Sequence, residues 1–332
     1  MAKRKSRSKG MKKLEPAVQT LSFSMVNNGT NYIDLSRAAS AINRRFYRQG
    51  LNWAVQSIQF TLVGAGTGSI TVSKIPNTWV SANAWKKSFS LWNKQQMEAL
   101  ADGGSESAAA RFRDFKIYLD TQMINAPAQT TYSTPVDGQI LVPHDFQAVA
   151  NLVNEGEWEY SQIVVPNYDN DAGGSKTVPR EFNLHMVGVN DFGGISRGLI
   201  AGYEDSRAFP QSPDPVSPAL DSYLNWMRDM FDVGSDSGPI VDNATDKNDD
   251  LPYDQQNYPG GEGNLPGSEI VGYAFLNNGT QTGMGQATVM GSNFPCGLIR
   301  LDSGLTGGFL NLQVRLVPGT HRGYLAEPMQ DM

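Results

Sequence analysis

The chain has 332 residues, 39% hydrophobic and 18% charged, enough to bury a sizeable core as one large or two ordinary domains. A single cysteine, Cys296, excludes an intrachain disulfide and zinc-finger spacing, and no apolar run reaches the roughly 18 residues of a membrane-spanning helix, so membrane insertion is not expected. The formal charge of −6 is unevenly spread: residues 1–13, MAKRKSRSKGMKK, hold seven Lys and Arg and no acid, whereas the rest of the chain carries 20 Lys and Arg against 33 Asp and Glu.

In chain order, residues 1–14 come first as an arm. Too few of its residues are apolar for it to fold alone. Its Lys3, Arg4, Lys5, Arg7, Lys9, Lys12 and Lys13 suit a nucleic-acid backbone, because attraction to phosphates needs charge density rather than sequence-specific geometry. The same side chains also suit a nuclear-import signal. No apolar stretch follows them, so a secretory leader is not expected. Alternation over 18–25 predicts a strand with Leu21, Phe23 and Met25 on one face and Thr20, Ser22 and Ser24 on the other. Asp34 is a natural N-cap for a helix reaching about residue 49, with Leu35, Ala38, Ala39, Ile42 and Phe46 as its apolar stripe. Arg44, Arg45 and Arg48, interleaved with Phe46 and Tyr47, read in two ways. They could contact unpaired bases and phosphates, or they could be the solvated face of that helix.

Residues 53–63 and 69–75 read as a hairpin about the glycine-rich turn 64–68, and a helix follows from after Ser81 to before Gly103, striped by Trp85, Phe89 and Trp92. Further alternating runs lie at 111–119, 158–165, 182–189, 269–275 and 309–317, with shorter ones at 287–290 and 298–301. The longest break, 190–267, holds a helical pattern at 218–231; within it, 204–262 carries 13 acids against Arg207, Arg228 and Lys247. This predicts an acidic surface excursion. The acidic run from Asp242 to Asp250, and the weaker set Asp169, Asp171 and Asp191, lack the glycine and closing glutamate of a calcium loop and read as solvated loops, so no metal or other cofactor is expected. Residues 326–332 read as a C-terminal tail.

Eight principal strands alternating apolar-in and polar-out predict an all-β fold, an eight-stranded antiparallel jelly-roll sandwich over 15–325 with helices inserted between strands. Nothing in the pattern points to catalysis. His144, His185 and His321 are far apart in sequence, and no nucleophile elbow, zinc-protease helix or phosphate loop occurs. Trp79 and Tyr132 fall in predicted loops and are candidates for surface covered by neighbouring subunits.

The segments YIDLSRAASAINRRFYRQG (32–50) and SKIPNTWVSANAWKKSFSLWN (73–93) resemble capsid proteins of small circular Rep-encoding single-stranded DNA (CRESS-DNA) viruses. The resemblance covers about residues 1–120, with support from the C-terminal strands. It implies a subunit that binds copies of itself to form an icosahedral virion shell. Lys3 to Lys13 would then be an inward basic arm on single-stranded DNA, bound without sequence specificity and shorter than the arginine-rich arms common in circovirus-like coats. Passage through the host nucleus, aided by import machinery, fits the same arm. A carbohydrate- or receptor-binding β-sandwich module is the alternative: tryptophans and tyrosines suit sugar stacking, although a basic arm has no role there. An enzyme on a cupin-like sandwich would need a histidine cluster.

Overall fold

The computed structural model describes residues 15–103, 114–130, 135–145, 151–153, 156–165, 180–188, 196–208 and 267–332. Along the chain run β1 (Thr20–Met25), β2 (Asn28–Asp34), helix α1 (Leu35–Asn43), β3 (Leu51–Val63), β4 (Gly66–Lys74), helix α2 (Trp79–Asp102), a short helix Thr121–Ile124, β5 (Gln139–Ile140), β6 (His144–Asp145), β7 (Asn151–Leu152), β8 (Gln162–Val165), β9 (Arg180–His185), β10 (Ser196–Gly198) and a helix Leu199–Ala208. After them come β11 (Glu269–Asn278), β12 (Met284–Met290), β13 (Asn293–Pro295), β14 (Leu298–Gly304), β15 (Phe309–Leu316), β16 (Pro318–Gly319), β17 (Gly323–Tyr324) and β18 (Ala326–Pro328).

Two mainly antiparallel sheets form a β sandwich. The first has the order β1-β15-β3-β12, with β13 and β18 pairing the beginning of β3; the second runs β11-β4-β14-β2-β5. Their facing side chains make one core. Leu21, Phe23, Ile58, Phe60, Leu62, Leu310, Leu312 and Val314 from the first sheet meet Ile33, Ile70, Val72, Leu276, Ile299 and Leu301 from the second. Strand β1 buries the face expected from its alternation, but its serine face is buried too. Gln129 reaches across to donate from Nε2 to Ser24 Oγ at 3.0 Å, which satisfies Ser24 under cover, whereas the buried Ser22 hydroxyl has no partner.

A second core lies on the other face of the second sheet. Tyr32 and Leu298, sequence neighbours of Ile33 and Ile299, point away from the sandwich interior. They pack with Trp85 and Trp92 of α2, with Phe115, Ile117 and Leu119, and with a small sheet of order β10-β9-β8.

Several expectations change here. The described parts of the runs 111–119, 158–165 and 182–189 bury their apolar side chains, but none of them joins the sandwich. Residues 115–119 are extended with a single bridge, Tyr118 to His185, and the other two runs give β8 and β9 of the small sheet. All lie in the one connection between β4 and β11. A period of two reports which face is buried, not which strand is the neighbour. Strand β2, which has little apolar content, pairs β14 along its whole length in the second sheet, and the short runs 287–290 and 298–301 are parts of full strands β12 and β14.

Of the expected excursion 190–267, residues 196–203 are not on the surface: β10 pairs β9, and Leu199, Ile200 and Tyr203 are buried in the second core. The helix expected at 218–231 and the acidic positions 169, 171, 191 and 242–250 lie outside the described residues, as does Tyr132. Trp79 is no exposed loop residue either. It opens α2 and packs edge-on against Tyr203, with ring centroids 6.4 Å apart. Residues 326–332 are not a loose tail, since β18 pairs β3 and Met329 is fully buried.

The hairpin expected from 53–63 and 69–75 does not form: β3 pairs within the first sheet and β4 within the second, so the glycine-rich turn carries the chain from one sheet to the other, and Gly68 explains one of its glycines. Its φ of +152°, and the Gly304 carbonyl oxygen 2.4 Å from where a Cβ would stand, admit no side chain.

Candidate nucleic-acid interface

Helix α1 begins where expected: the Asp34 carboxylate accepts from the Arg37 backbone N–H at 3.1 Å. It ends earlier than expected. Arg44 caps it in the left-handed region, with φ 53° and ψ 36°, so residues 44–49 leave the helix axis. Asn43 Nδ2 donates back to the Ala39 carbonyl, and Ser40 Oγ accepts from the Tyr47 backbone N–H at 2.9 Å, closing the turn. The apolar stripe therefore does not continue to Phe46. Tyr47 is buried in its place, and Phe46 is exposed.

Beyond the turn, alternate residues point in and out. Tyr47 enters the end of the sandwich between Trp53 and Tyr324, with ring centroids at 5.9 and 5.3 Å, and its hydroxyl donates to the Arg322 carbonyl. Gln49 turns in as well. Its amide binds both backbone groups of Ile117, the Oε1 accepting from N–H at 2.6 Å and the Nε2 donating to the carbonyl at 2.9 Å. Arg44, Arg45, Phe46 and Arg48 are left exposed. The docked 114–117 segment then sets Lys116 beside Phe46. The Lys116 ammonium stands 4.5 Å above the Trp158 ring and 5.8 Å from that of Phe46, and the two rings are 5.8 Å apart. The Arg322 guanidinium reaches the Phe46 carbonyl from the β16–β17 turn.

The first described residues run along this patch. The Arg45 guanidinium pairs with the Glu15 carboxylate at 3.2 Å, Val18 N–H donates to Asn43 Oδ1, and the Tyr324 hydroxyl donates to the Val18 carbonyl. Lys3, Arg4, Lys5, Arg7, Lys9, Lys12 and Lys13 lie outside the described residues, but the chain that carries them joins the fold at Glu15, against Arg45. Arg44, Arg45 and Arg48 are thus brought together with Arg322, Lys116, Phe46 and Trp158. Sequence reasoning missed Lys116, Trp158 and Arg322. For Lys116 the polar phase of the 115–119 alternation was the available signal; Arg322 carried none.

Two carboxylates sit beneath. Burial pushes Asp34 up from the usual carboxylate range and Asp114 up to about 6, against the opposing pull of Lys116 and Arg48 on Asp114.

The histidines do not form a centre with one another. His144 is on β6, His185 on β9 and His321 in the β16–β17 turn. Among the described residues no three His, Cys, Asp or Glu side chains group to hold a metal ion. His185 is fully buried with neither ring nitrogen hydrogen-bonded, and burial pushes its pKa down to about 4, with Arg197 adding to the effect and Asp120 opposing it. A depressed histidine contributes stability that is present above its unfolded value near 6.5 and is lost as pH falls toward 4. Asp114, being raised, acts oppositely, losing stability as pH rises from about 4 through 6. His185→Leu is therefore expected to flatten the loss of unfolding free energy between pH 6.5 and 4.5, and Asp114→Asn to steepen it. Urea titrations at both pH values decide this, and equal pH slopes in His185→Leu and wild type would overturn it.

No family model, curated protein or solved structure matches the chain. No helix among the described residues is long and apolar enough to cross a membrane.

Proposed function

We propose that the chain is a viral capsid protein: a jelly-roll subunit that assembles with copies of itself into an icosahedral shell and packages a single-stranded genome, DNA by its resemblance, through residues 1–13 and the arginine patch. Strand pairing supports the jelly-roll reading. Counting only the eight long strands of the two main sheets, the first pairs the eighth (β1 with β15), the second the seventh (β2 with β14), the third the sixth (β3 with β12) and the fourth the fifth (β4 with β11). That is one long antiparallel hairpin rolled so that its halves face each other, as in the double Greek key. The whole of 75–268, with α2 and the small sheet, is then a single insertion between the fourth and fifth strands.

The observation that carries the nucleic-acid half of the reading is the Glu15–Arg45 contact. It sets the root of a segment with seven cations and no acid against the exposed Arg44, Arg45 and Arg48, beside the Phe46–Trp158 pair. Cations would track phosphates and the rings would stack on unpaired bases, a combination suited to single strands of any sequence. Presence in the virion, and in the host nucleus during assembly, belongs to the same proposal.

The test is to express the whole chain and examine it by negative-stain electron microscopy, with the absorbance ratio at 260 and 280 nm read before and after nuclease treatment. Closed particles that protect nucleic acid are the expected result. A chain that remains monomeric and nucleic-acid-free across concentration and salt would overturn the proposal.

A further inference from the structure

We propose that the sandwich edge formed by β11 and β12 is the surface on which a second copy of this chain docks, strand against strand. The inference rests on the self-assembly reading and specifies its contact surface.

On this side each main sheet ends in a strand with one neighbour among the described residues, β11 on β4 and β12 on β3. On the opposite side β1 is buried on both faces from Leu21 to Met25, and β2 is followed by the short β5. Along β11, Ala274 and Leu276 turn into the core, while Ile270, Tyr273 and Phe275 are 49%, 67% and 69% exposed. Along β12, Val289 turns in, while Met284 and Met290 are 69% and 79% exposed. A free edge is ordinarily protected by lysine, proline or inward charge. The sequences EIVGYAFLNN and MGQATVM have neither lysine nor proline, and their one charge, Glu269, faces Lys74 at 3.8 Å. The register irregularity at Ile270/Gly272 leaves the strand regular from 272 to 278.

Charge and area select the occupant. An uncharged edge offers nothing to a nucleic acid or to a charged peptide. At about 200 Å² for a whole large side chain, Ile270, Tyr273 and Phe275 leave roughly 370 Å² of apolar surface on the outer face beside β11, and Met284 and Met290 roughly 300 Å² on the opposite outer face beside β12, so a copy that continues both sheets borders both. A stable interface takes about 800 Å² per partner, and the edge backbone supplies the remainder. A two-fold copy meets the same strand antiparallel, an isologous contact. With Ala274 opposite Ala274, Tyr273 of each copy lies across from Phe275 of the other, a favourable aromatic cross-strand pair.

The test compares the full-length chain with the double variant Tyr273→Lys, Phe275→Lys and with Met284→Lys, Met290→Lys, by sedimentation velocity over a concentration series and by electron microscopy. All four side chains are exposed, so circular dichroism and melting temperature should match wild type. Each variant is expected to weaken self-association by about a hundredfold or more, as when two central interface side chains are lost. If wild type and both variants form shells equally, the edge is not the contact and the capsid reading stands. If wild type forms only dimers and the variants abolish them, the edge contact stands and the shell reading falls. A wild-type chain that is monomeric at every concentration overturns both.

Discussion

A chain starting at Leu14 is expected to fold as the full-length protein does and to lose most of its affinity for single-stranded DNA. The deletion removes all seven cations of residues 1–13 but leaves Glu15, Val18 and their contacts with Arg45, Asn43 and Tyr324 in place. If each cation neutralises one phosphate, log K should fall with log salt at a slope of about −5 from the arm alone, a loss of about a thousandfold between 50 and 200 mM salt. The truncated chain should therefore bind weakly already at low salt and show a slope reduced by about 5. Fluorescence anisotropy with a labelled oligonucleotide at several salt concentrations reads both quantities. The Arg45→Glu variant isolates the patch: it should reduce the slope by about 1 and weaken all sequences alike. An unchanged slope in the truncated chain would remove the arm from the binding site.

Trp53→Ala is expected to cost about 3–5 kcal/mol of stability, the range for deleting a buried large aromatic. That is a large part of the 5–15 kcal/mol a folded domain holds, and at about 2–4 °C per kcal/mol it lowers the melting temperature by about 10 °C. Trp53 is fully buried on β3, at 5.9 Å from Tyr47 and 5.5 Å from Tyr324. Those tyrosines hold the basic patch from below. The Tyr47 hydroxyl donates to Arg322, and the Tyr324 hydroxyl accepts from Asn43 and donates to Val18. The cavity should therefore loosen the 44–49 segment and the arm root together. The indole N–H of Trp53 has no hydrogen-bond partner, so Trp53→Phe forfeits packing alone and should cost clearly less. Differential scanning calorimetry separates the two, and equal melting temperatures for Trp53→Ala and wild type would refute the central role given to this ring.

By itself the sequence determined what depends on near neighbours and on composition. The core faces of β1, of the second half of β3 (Ile58, Phe60 and Leu62) and of β15 follow from alternation, the start of α1 from the side chain of Asp34, and the charge asymmetry between arm and body from counting. Each is a property of a few consecutive residues, or of none in particular, and survives without knowledge of the fold. Tertiary structure decided everything that joins distant residues. The alternation of 115–119 is as regular as that of β15, yet one packs on α2 and the other lies at the centre of the first sheet, because burial of a face is local and choice of partner is not. Whether Phe46 or Tyr47 turns inward was settled by the aromatic pair Trp53 and Tyr324, which offers a ring-sized site with carbonyl acceptors at its rim and so favours the side chain with a hydroxyl. Lys116, Trp158 and Arg322 joined Arg44, Arg45 and Arg48 only because Gln49 clamps the 114–117 backbone and Arg322 reaches back from the C-terminal turn. Contacts that span 68 to 276 residues leave no trace in the local pattern of either partner.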